Sequence, residues 1–270
     1  MFKIKNLTYK YDKKATALNN INMDFSKGSV IGIIGSNGSG KSTLFMNLVG
    51  ILKPTEGVVE FKNKDIKYDK KSLYSLRKDV GIVFQDPDKQ IFYSKVYDDI
   101  AFALRNIGLD EDTISQRIHK ALDAVNGLEF KNKPVHFLSY GQKKRVAIAS
   151  VIAMENEIVL LDEPTAGLDP ISTRSIVEII KTLRDSNVKV VISSHDMNLI
   201  YEICDYIYVL NKGTITSDGN TKRVFIDEEN INQAGLELPW LVKLHKNMNI
   251  PLFNKEEELY EYWNNKILAK

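Results

Sequence analysis

The chain has 270 residues, of which 43% are hydrophobic and 27% are charged. That is enough apolar material for one large α/β domain or for one domain with an appendage. The 37 basic and 35 acidic residues leave a net charge of only +2, which argues against a nucleic-acid-binding protein, because such proteins usually carry a clustered basic excess.

The cysteine content and the hydropathy pattern indicate the compartment. The single cysteine, Cys204, excludes an internal disulfide and is interpreted as a small buried side chain in a reducing cytosol. No stretch reaches the roughly 18 apolar residues of a membrane-spanning helix, and residues 1–10 lack the apolar core of a secretory signal. We therefore expect a soluble or peripheral protein that would act at a membrane only through a partner.

Strand patterns alternate with helical patterns along the chain. Residues 1–25 predict short antiparallel strands, and the turn Asn211-Lys212-Gly213 predicts a hairpin between 206–210 and 214–216. Strands are also predicted at 29–34, 58–61, 80–84, 157–161 and 188–193, and the continuous apolar run at 29–34 is typical of a strand buried on both faces of a parallel sheet. Helices are expected at 41–51, within the more polar region 86–154, and at 171–184.

The character of the sequence changes after about residue 225. Residues 236–246 and 255–269 predict two amphipathic helices, which would form a C-terminal appendage. An apolar helical stripe serves equally well for packing against the main domain and for contacting another subunit. The sequence leaves both interpretations open.

A glycine-rich segment lies between the strand pattern at 29–34 and the helix that follows. It consists of Gly35, Ser36, Asn37, Gly38, Ser39, Gly40, Lys41 and Ser42, with Thr43 next. This is a full match to G-x-x-x-x-G-K-[ST] in the required strand–helix context, so it predicts a P-loop. Backbone N–H groups and the helix N-terminus would hold phosphate oxygens. Lys41 would reach the β- and γ-phosphates, and the Ser42 hydroxyl would bind Mg²⁺.

Two adjacent acids, Asp162 and Glu163, end the apolar run 157–161. At the end of a parallel strand they would face a ligand crevice. Asp162 would hold Mg²⁺ through water, and Glu163 is placed to polarise an attacking water. The pair therefore favours hydrolysis over transfer to an acceptor hydroxyl.

A second candidate phosphate site precedes the helical segment 143–154. Ser139 would cap that helix, whose free N–H groups can meet a γ-phosphate. The segment lies about 20 residues before the acids, too far along a helix to share the P-loop's nucleotide within one chain. The spacing indicates that it serves a nucleotide held by a partner.

Together these motifs closely resemble the ABC ATPase family over residues 2–224. The segment Leu138-Ser139-Tyr140-Gly141-Gln142 is similar to that family's signature L-S-G-G-Q, and all of the family's motifs occur in order. The resemblance implies ATP and Mg²⁺ as ligands, with Ser139, Gly141 and Gln142 contacting ATP. The implied fold is a mostly parallel P-loop (RecA-like) α/β core with an N-terminal antiparallel subdomain, an inserted helical subdomain and a C-terminal helical appendage.

Further roles follow from the resemblance. Tyr11 matches the aromatic residue that stacks on adenine. Gln85 matches the Q-loop glutamine, which reaches Mg²⁺ and the water and senses the membrane partner. The D-loop is matched by Gly167-Leu168-Asp169, and His195 matches the switch histidine at the γ-phosphate. The expected catalytic residues are thus Glu163, His195, Gln85 and Lys41, and the expected Mg²⁺ ligands are Ser42, Gln85 and Asp162.

One residue departs from the family pattern. Tyr140 stands where the family usually has its first signature glycine, and a side chain there would be able to hinder close backbone approach. Because Ser139 and Gly141 are kept, we expect the site to work.

A narrower resemblance concerns the energy-coupling-factor transporters, including the cobalt type. It is carried by residues 83–92, by the Leu-Ser-Tyr-Gly-Gln form with residues 143–149, and by residues 235–239. It implies an ATPase subunit at the cytoplasmic face of a membrane. Its partners would be a second ATPase subunit, identical or not, a transmembrane coupling protein and a substrate-binding membrane protein, which together take up a transition metal ion or a vitamin.

The expected domains are an ABC ATPase domain at 1–228, with the helical subdomain at about 86–154 inserted, and an extension at 229–270. The alternatives are the ATPase of another ABC transporter class, a soluble ABC ATPase of DNA repair or translation, and a non-catalytic binding module. The second lacks support because the chain shows neither tandem ATPase units nor a basic excess.

Overall fold

The structure, a computed structural model, describes residues 1–12 and 15–268, with side-chain surroundings up to residue 266. The strands are β1 (Phe2–Lys10), β2 (Thr16–Asp24), β3 (Val30–Ile34), β4 (Glu56–Phe61), β5 (Lys64–Asp65), β6 (Val80–Val83), β7 (Ile158–Asp162), β8 (Lys189–Ser194), β9 (Tyr206–Asn211) and β10 (Thr214–Asn220). The helices are α1 (Lys41–Leu48), α2 (Lys70–Asp79), α3 (Val96–Asn106), α4 (Glu111–Ala124), α5 (Tyr140–Ala153), α6 (Pro170–Asp185), α7 (Met197–Ile203), α8 (Thr221–Ile226), α9 (Glu228–Gln233), α10 (Trp240–Met248) and α11 (Glu256–Leu268).

The predicted strands and the predicted hairpin are confirmed, with differences of one to a few residues at their ends. The helices α2, α7, α8 and α9 were not predicted. In α2 only Leu76 is buried, and α7, α8 and α9 span two turns or less, so their apolar periodicity is weak. Residue 269, where the second appendage helix was expected to end, lies outside the described residues.

Two sheets form the frame of the molecule. The first is antiparallel, in the order β2-β1-β4-β5. The second has the order β10-β9-β3-β8-β7-β6, and all of its neighbouring pairs are parallel except β10 with β9. The predicted fold class, a mostly parallel core with an antiparallel N-terminal sheet, is therefore confirmed.

The strands of the parallel sheet are buried on both faces. Along β3, Ile31 and Ile33 join the core that lies under α1 and the antiparallel sheet, whereas Val30 and Ile34 join the core under the other helices. This alternation explains the unbroken apolar runs, since each face of the sheet is covered by a separate layer.

The topology brings four chain segments to one edge of the sheet. Strands β3, β8, β7 and β6 are neighbours, and their carboxyl ends lead into Gly35, His195, Glu163 and Phe84. In the register, Ile34 pairs with Ser194. Ligands of open parallel sheets bind at such an edge.

The residues after α8 pack against the body of the protein. Apolar side chains of this segment, among them Leu236, Val242 and Phe253, belong to the core shared with α6 and α7. The Tyr201 hydroxyl donates to the Phe253 carbonyl at 2.7 Å, and the Trp240 amide donates to Asn198 Oδ1 at 2.8 Å. Packing within the chain, one of the two open interpretations of the appendage, is therefore observed. The domain boundaries remain a prediction.

Among the described residues, no helix combines the length and the apolar character needed to cross a membrane.

The layer between the two sheets generates a stability prediction. Leu44 of α1 is fully buried there, so Leu44→Ala should lower the free energy of unfolding by about 2–5 kcal/mol through lost burial and a residual cavity. The control Ile226→Ala, at a half-exposed position, should cost less than about 1 kcal/mol. Urea denaturation measures both. Equal losses in the two variants would contradict this packing.

Candidate active site

The segment after β3 forms a tight cradle. A Cβ added at Gly35 would lie 2.2 Å from the Leu210 carbonyl oxygen and 2.5 Å from Ser39 Oγ, so the loop closes only around a glycine. Gly38 and Gly40 have φ angles of +79° and +111°, which favour glycine. Gly40 is the N-cap of α1, and the first amides of that helix are left for a ligand. The predicted strand–loop–helix context is observed.

Lys41 is folded back into the cradle. Its ammonium donates to the carbonyl oxygens of Gly35 at 2.7 Å and Ser36 at 3.2 Å, and it lies 3.7 Å from Glu163 Oε1. The side chains of Lys41 and Glu163 are each only 7% exposed. An ammonium group held in this way beside a loop of backbone N–H groups is suited to bind the oxygens of a polyphosphate.

Glu163 is the most constrained acid of the site. Its backbone adopts a left-handed φ of +46°, and its amide donates to the carbonyl and to the hydroxyl of Ser193. Its Oε2 pairs with His195 Nδ1 at 2.8 Å. Its Oε1 is buried and finds no hydrogen-bond partner among the described residues. A buried carboxylate oxygen left without a donor is suited to accept a proton from a bound water.

Asp162 lies beside Glu163 and is held by a residue that the motifs did not indicate. Ser193 of β8 is opposite Asp162 in the register. Its hydroxyl donates to Asp162 Oδ1 and accepts from the Glu163 amide at 3.0 Å. One serine thus fixes both acids. The available signal was a hydroxyl at the end of the apolar run Val190-Val191-Ile192.

A cavity of about 480 Å³ brings most of the predicted ligand residues together. Its lining consists of Tyr11, Ala17, Asn37, Gly38, Ser39, Gly40, Lys41, Ser42, Thr43, Gln85 and Glu163. Tyr11 is 57% exposed, and its hydroxyl lies 3.0 Å from Thr43 Oγ1, so its ring stands at the entrance of the cavity. His195 joins the site through Glu163 rather than through the lining.

The signature residues Ser139, Gly141 and Gln142 are not part of that lining. Ser139 caps α5 as predicted, in a reciprocal capping box: its hydroxyl accepts from the Gln142 amide, and Gln142 Oε1 accepts from the Ser139 amide at 2.9 Å. The Gln142 side chain is therefore occupied by the cap. These three residues lie at a separate helix N-terminus.

Two side chains of α5 reach the Gln85 segment. The Tyr140 hydroxyl donates to the Gln85 carbonyl oxygen at 3.0 Å, and the buried Lys144 ammonium donates to the same oxygen. Burial lowers the pKa of Lys144 to about 8, against the attraction of Asp162, Asp86 and Glu163. Lys144 belongs to the segment 143–149 that resembles the energy-coupling-factor group, but the sequence indicated no role for it.

The site fits a nucleoside triphosphate with Mg²⁺. The phosphate-binding part of such a site is formed by the glycine cradle, the lysine and the helix N-terminus. A hydroxyl, a carboxylate and an amide, from Ser42, Asp162 and Gln85, are oxygen donors of the kind that Mg²⁺ takes alongside substrate phosphates. Among the described residues there is no cluster of three or more His, Cys, Asp and Glu that could hold a metal ion.

Comparison with known proteins places these features in a family. A family model described as ABC transporter matches residues 18–166. CbiO of Salmonella typhimurium, a cobalt import ATP-binding protein, is 46% identical over 96% of this chain and 96% of its own length. EcfA of Methanocaldococcus jannaschii, an energy-coupling factor transporter ATP-binding protein, is 44% identical over 96% of this chain and 91% of its own.

Solved structures of ABC transporter ATP-binding proteins are also similar to this chain. The structure of cbiO1 from Clostridium perfringens, described as part of the ABC transporter complex cbiONQ, superposes with a TM-score of 0.77 at 43% identity, covering 91% of this chain and 98% of that one. A dimeric post-hydrolysis structure of the ATP-binding cassette MJ0796, bound to ADP and Pi, gives a TM-score of 0.73 at 31% identity, covering 82% and 99%.

The cradle generates a binding prediction. Gly35→Ala should weaken binding of a fluorescent ATP analogue by roughly 30-fold or more, about 2 kcal/mol, because its methyl group would displace the loop. Gly38→Ala is the control: its methyl group meets nothing within 4 Å and brings only the cost of a left-handed alanine, so the loss should be smaller than that of Gly35→Ala. Fluorescence titration measures both. If Gly35→Ala bound the ATP analogue more tightly than Gly38→Ala, the close packing of the loop around Gly35 would be contradicted.

Proposed function

The chain belongs to the ABC transporter family of ATP-binding proteins, and on that premise we propose that it is the ATP-hydrolysing subunit of an energy-coupling-factor-type importer. The names of the Salmonella and Methanocaldococcus relatives support that class. The proposed cargo class is a transition metal ion or a vitamin, taken up through membrane partners. The protein itself would lie at the cytoplasmic face of the membrane.

One observation carries the catalytic part of the proposal, namely the position of Glu163. Its buried Oε1 has no donor among the described residues and lies 3.7 Å from the Lys41 ammonium, while Oε2 is held by His195. The carboxylate is thus oriented, with one oxygen directed to the place where a γ-phosphate would meet the P-loop lysine. A general base needs this geometry before any particular pKa.

The other residues stabilise the charge that develops during hydrolysis. Lys41 and the amides of the cradle hold the β- and γ-phosphate oxygens. Ser42, Asp162 and Gln85 would hold Mg²⁺, which when bound neutralises phosphate charge. His195 keeps Glu163 oriented through the 2.8 Å contact, and its side chain is more than half exposed, so it would remain accessible to a γ-phosphate.

A second ATPase subunit would complete the site. Ser139 and Gly141 lie at the exposed N-terminus of α5 and outside this chain's own cavity. A helix N-terminus with free amides is a phosphate site, and here it serves the nucleotide of a facing subunit. The similarity of the chain to a dimeric cassette supports a pair of ATPase subunits, which we propose to be arranged head-to-tail. ATP would then stabilise the closed pair through contacts made only there.

A groove beside the Gln85 segment is the proposed contact for the membrane partner. It measures about 510 Å³ and lies between the parallel sheet and α3, with Ile51, Tyr74, Phe84 and Phe102 in its lining. Tyr74 and Phe102 of this lining are 45% and 41% exposed. Exposed aromatic side chains around an apolar groove are typical of a surface that receives a helix.

The general base generates a kinetic prediction. Glu163→Gln should lower kcat for ATP hydrolysis by roughly 10²- to 10⁴-fold, because the amide cannot accept the proton of water, while ATP binding is kept. The control is Glu157→Gln, at the other end of the same strand, where the carboxylate is exposed and pairs with Lys62. Phosphate release and equilibrium nucleotide binding are the two measurements. Turnover equal to that of wild type would remove Glu163 from its role.

The membrane partners generate a second prediction. Tagged Glu163→Gln protein, expressed in its native cells and solubilised with ATP, should retain a small substrate-binding membrane protein and a separate transmembrane coupling protein. Phe102→Asp in the same background should lose both while still binding ATP, because docking of the partner would bury an unpaired carboxylate in the apolar groove. Mass spectrometry identifies what co-purifies.

The outcomes separate the alternatives. A single large permease would move the protein to another ABC transporter class. No membrane protein at all would contradict transport and favour a soluble ABC ATPase.

A further inference from the structure

We propose that Tyr140 and Lys144 are positioning residues that fasten the Gln85 backbone to the first turns of α5 and thereby couple the signature helix to the site. The inference rests on the proposed function, because both residues act through Gln85 and Glu163. It assigns a role to the tyrosine that departs from the family pattern and to a lysine of the segment 143–149 for which the sequence indicated no individual role.

Lys144 is fully buried in the interior of the protein. Its ammonium donates to three backbone carbonyl oxygens, those of Phe84 at 3.4 Å, Gln85, and Glu163 at 3.4 Å. An ammonium has three N–H donors, so these carbonyls can use all of them. Two of the carbonyls belong to the segment after β6 and the third to the residue after β7. The lysine therefore ties two site segments to α5.

No carboxylate forms an ion pair with Lys144 within 4 Å among the described residues. The negative charges that face it, Asp162, Asp86 and Glu163, act only at longer range. Lysine is almost never fully buried without a partner, and burying a charge is costly. A side chain kept there at that cost, and satisfied only by carbonyls of site segments, is best explained by the position it gives those segments.

Tyr140 donates to the same carbonyl oxygen as Lys144. It precedes Lys144 by four residues, so the two side chains lie on one face of α5. Its hydroxyl is 3.0 Å from the Gln85 oxygen, and its ring lies 5.9 Å from the Lys144 ammonium. A carbonyl oxygen has two lone pairs, and these two donors fill both. A Cβ on Gly167 would lie 3.5 Å from the same ring.

The consequence is a mechanical link that neither residue provides alone. A displacement of α5 against the sheet would move the Gln85 backbone with it, and Gln85 lines the nucleotide cavity. The adjoining segment is tied to the same helix by the Lys143–Asp88 ion pair at 2.6 Å, and Gln90 accepts from the Phe84 amide at 3.0 Å. Docking of a partner at the groove, or of a facing subunit's nucleotide at Ser139, would therefore change the position of Gln85.

The test is Tyr140→Phe, which removes one hydroxyl and keeps the ring. Tyr208→Phe is the matched control, since Tyr208 also donates to a backbone carbonyl, that of Asp24 at 2.9 Å, away from the nucleotide cavity. Hydrogen exchange is measured on the purified chain, without nucleotide or partner. The backbone amides of residues 84–90 should exchange roughly 3- to 10-fold faster in Tyr140→Phe, because the variant loses the free energy of one hydrogen bond. Tyr208→Phe should leave that segment unchanged.

A double-mutant cycle provides the second readout. Tyr140→Phe should lower kcat for ATP hydrolysis by roughly 3- to 10-fold in the wild-type background and have no further effect in Gln85→Ala, because it acts through that side chain. The Mg²⁺ concentration for half-maximal hydrolysis should rise in the same variants. Lys144→Met should produce a larger change of the same kind, and Lys144→Arg, which keeps the charge and the donors, should restore part of it.

Two results would overturn the proposal. Unchanged exchange over residues 84–90 in Tyr140→Phe would show that the hydroxyl does not hold the segment. Additive kinetic losses of Tyr140→Phe and Gln85→Ala would show a general structural effect instead of positioning. Hydrogen exchange needs no turnover and no membrane partner, so this failure is distinguishable from a failure of the proposed transport function.

Discussion

The register between neighbouring parallel strands is the constraint on which the site depends. Asp162 lies opposite Ser193, and Ile34 lies opposite Ser194, so the segments that leave β3, β7 and β8 start from one level. Because side chains alternate along a strand, a slip of one residue would turn the Ser193 hydroxyl to the other face of the sheet. Both acids would then lose the group that fixes them.

The same edge concentrates charge where water is largely excluded. Lys41 and Glu163 are 7% exposed and lie 3.7 Å apart, and the lysine is also held by two loop carbonyls. Desolvation offsets much of the attraction in such a pair, so it contributes little to stability, but removal of one partner leaves the other uncompensated. The pair is better understood as a polar environment arranged in advance for phosphate and water.

Whether a feature could be predicted from the sequence depended on how local its physical cause is. The P-loop is contiguous, and its glycines, lysine and flanking strand and helix patterns identify it without knowledge of the fold. The buried parallel sheet followed from apolar runs, but its strand order did not, because no local signal orders the strands. Ser193 and Lys144 act on residues 19 to 60 positions away, so their roles emerge only when the strands and α5 are assembled.

Tyr140 shows how a departure from a family pattern can be neutral in conformation and still change the connections of a site. α5 begins at this residue with ordinary helical backbone, and its φ is not among the positive values that favour glycine. The close approach belongs to Gly141, where a Cβ would lie 3.3 Å from Ser172 Oγ. A large side chain is therefore tolerated at residue 140. The Tyr140 hydroxyl donates to the Gln85 carbonyl oxygen of the same chain. The start of the signature helix is therefore hydrogen-bonded directly to a residue of the nucleotide cavity.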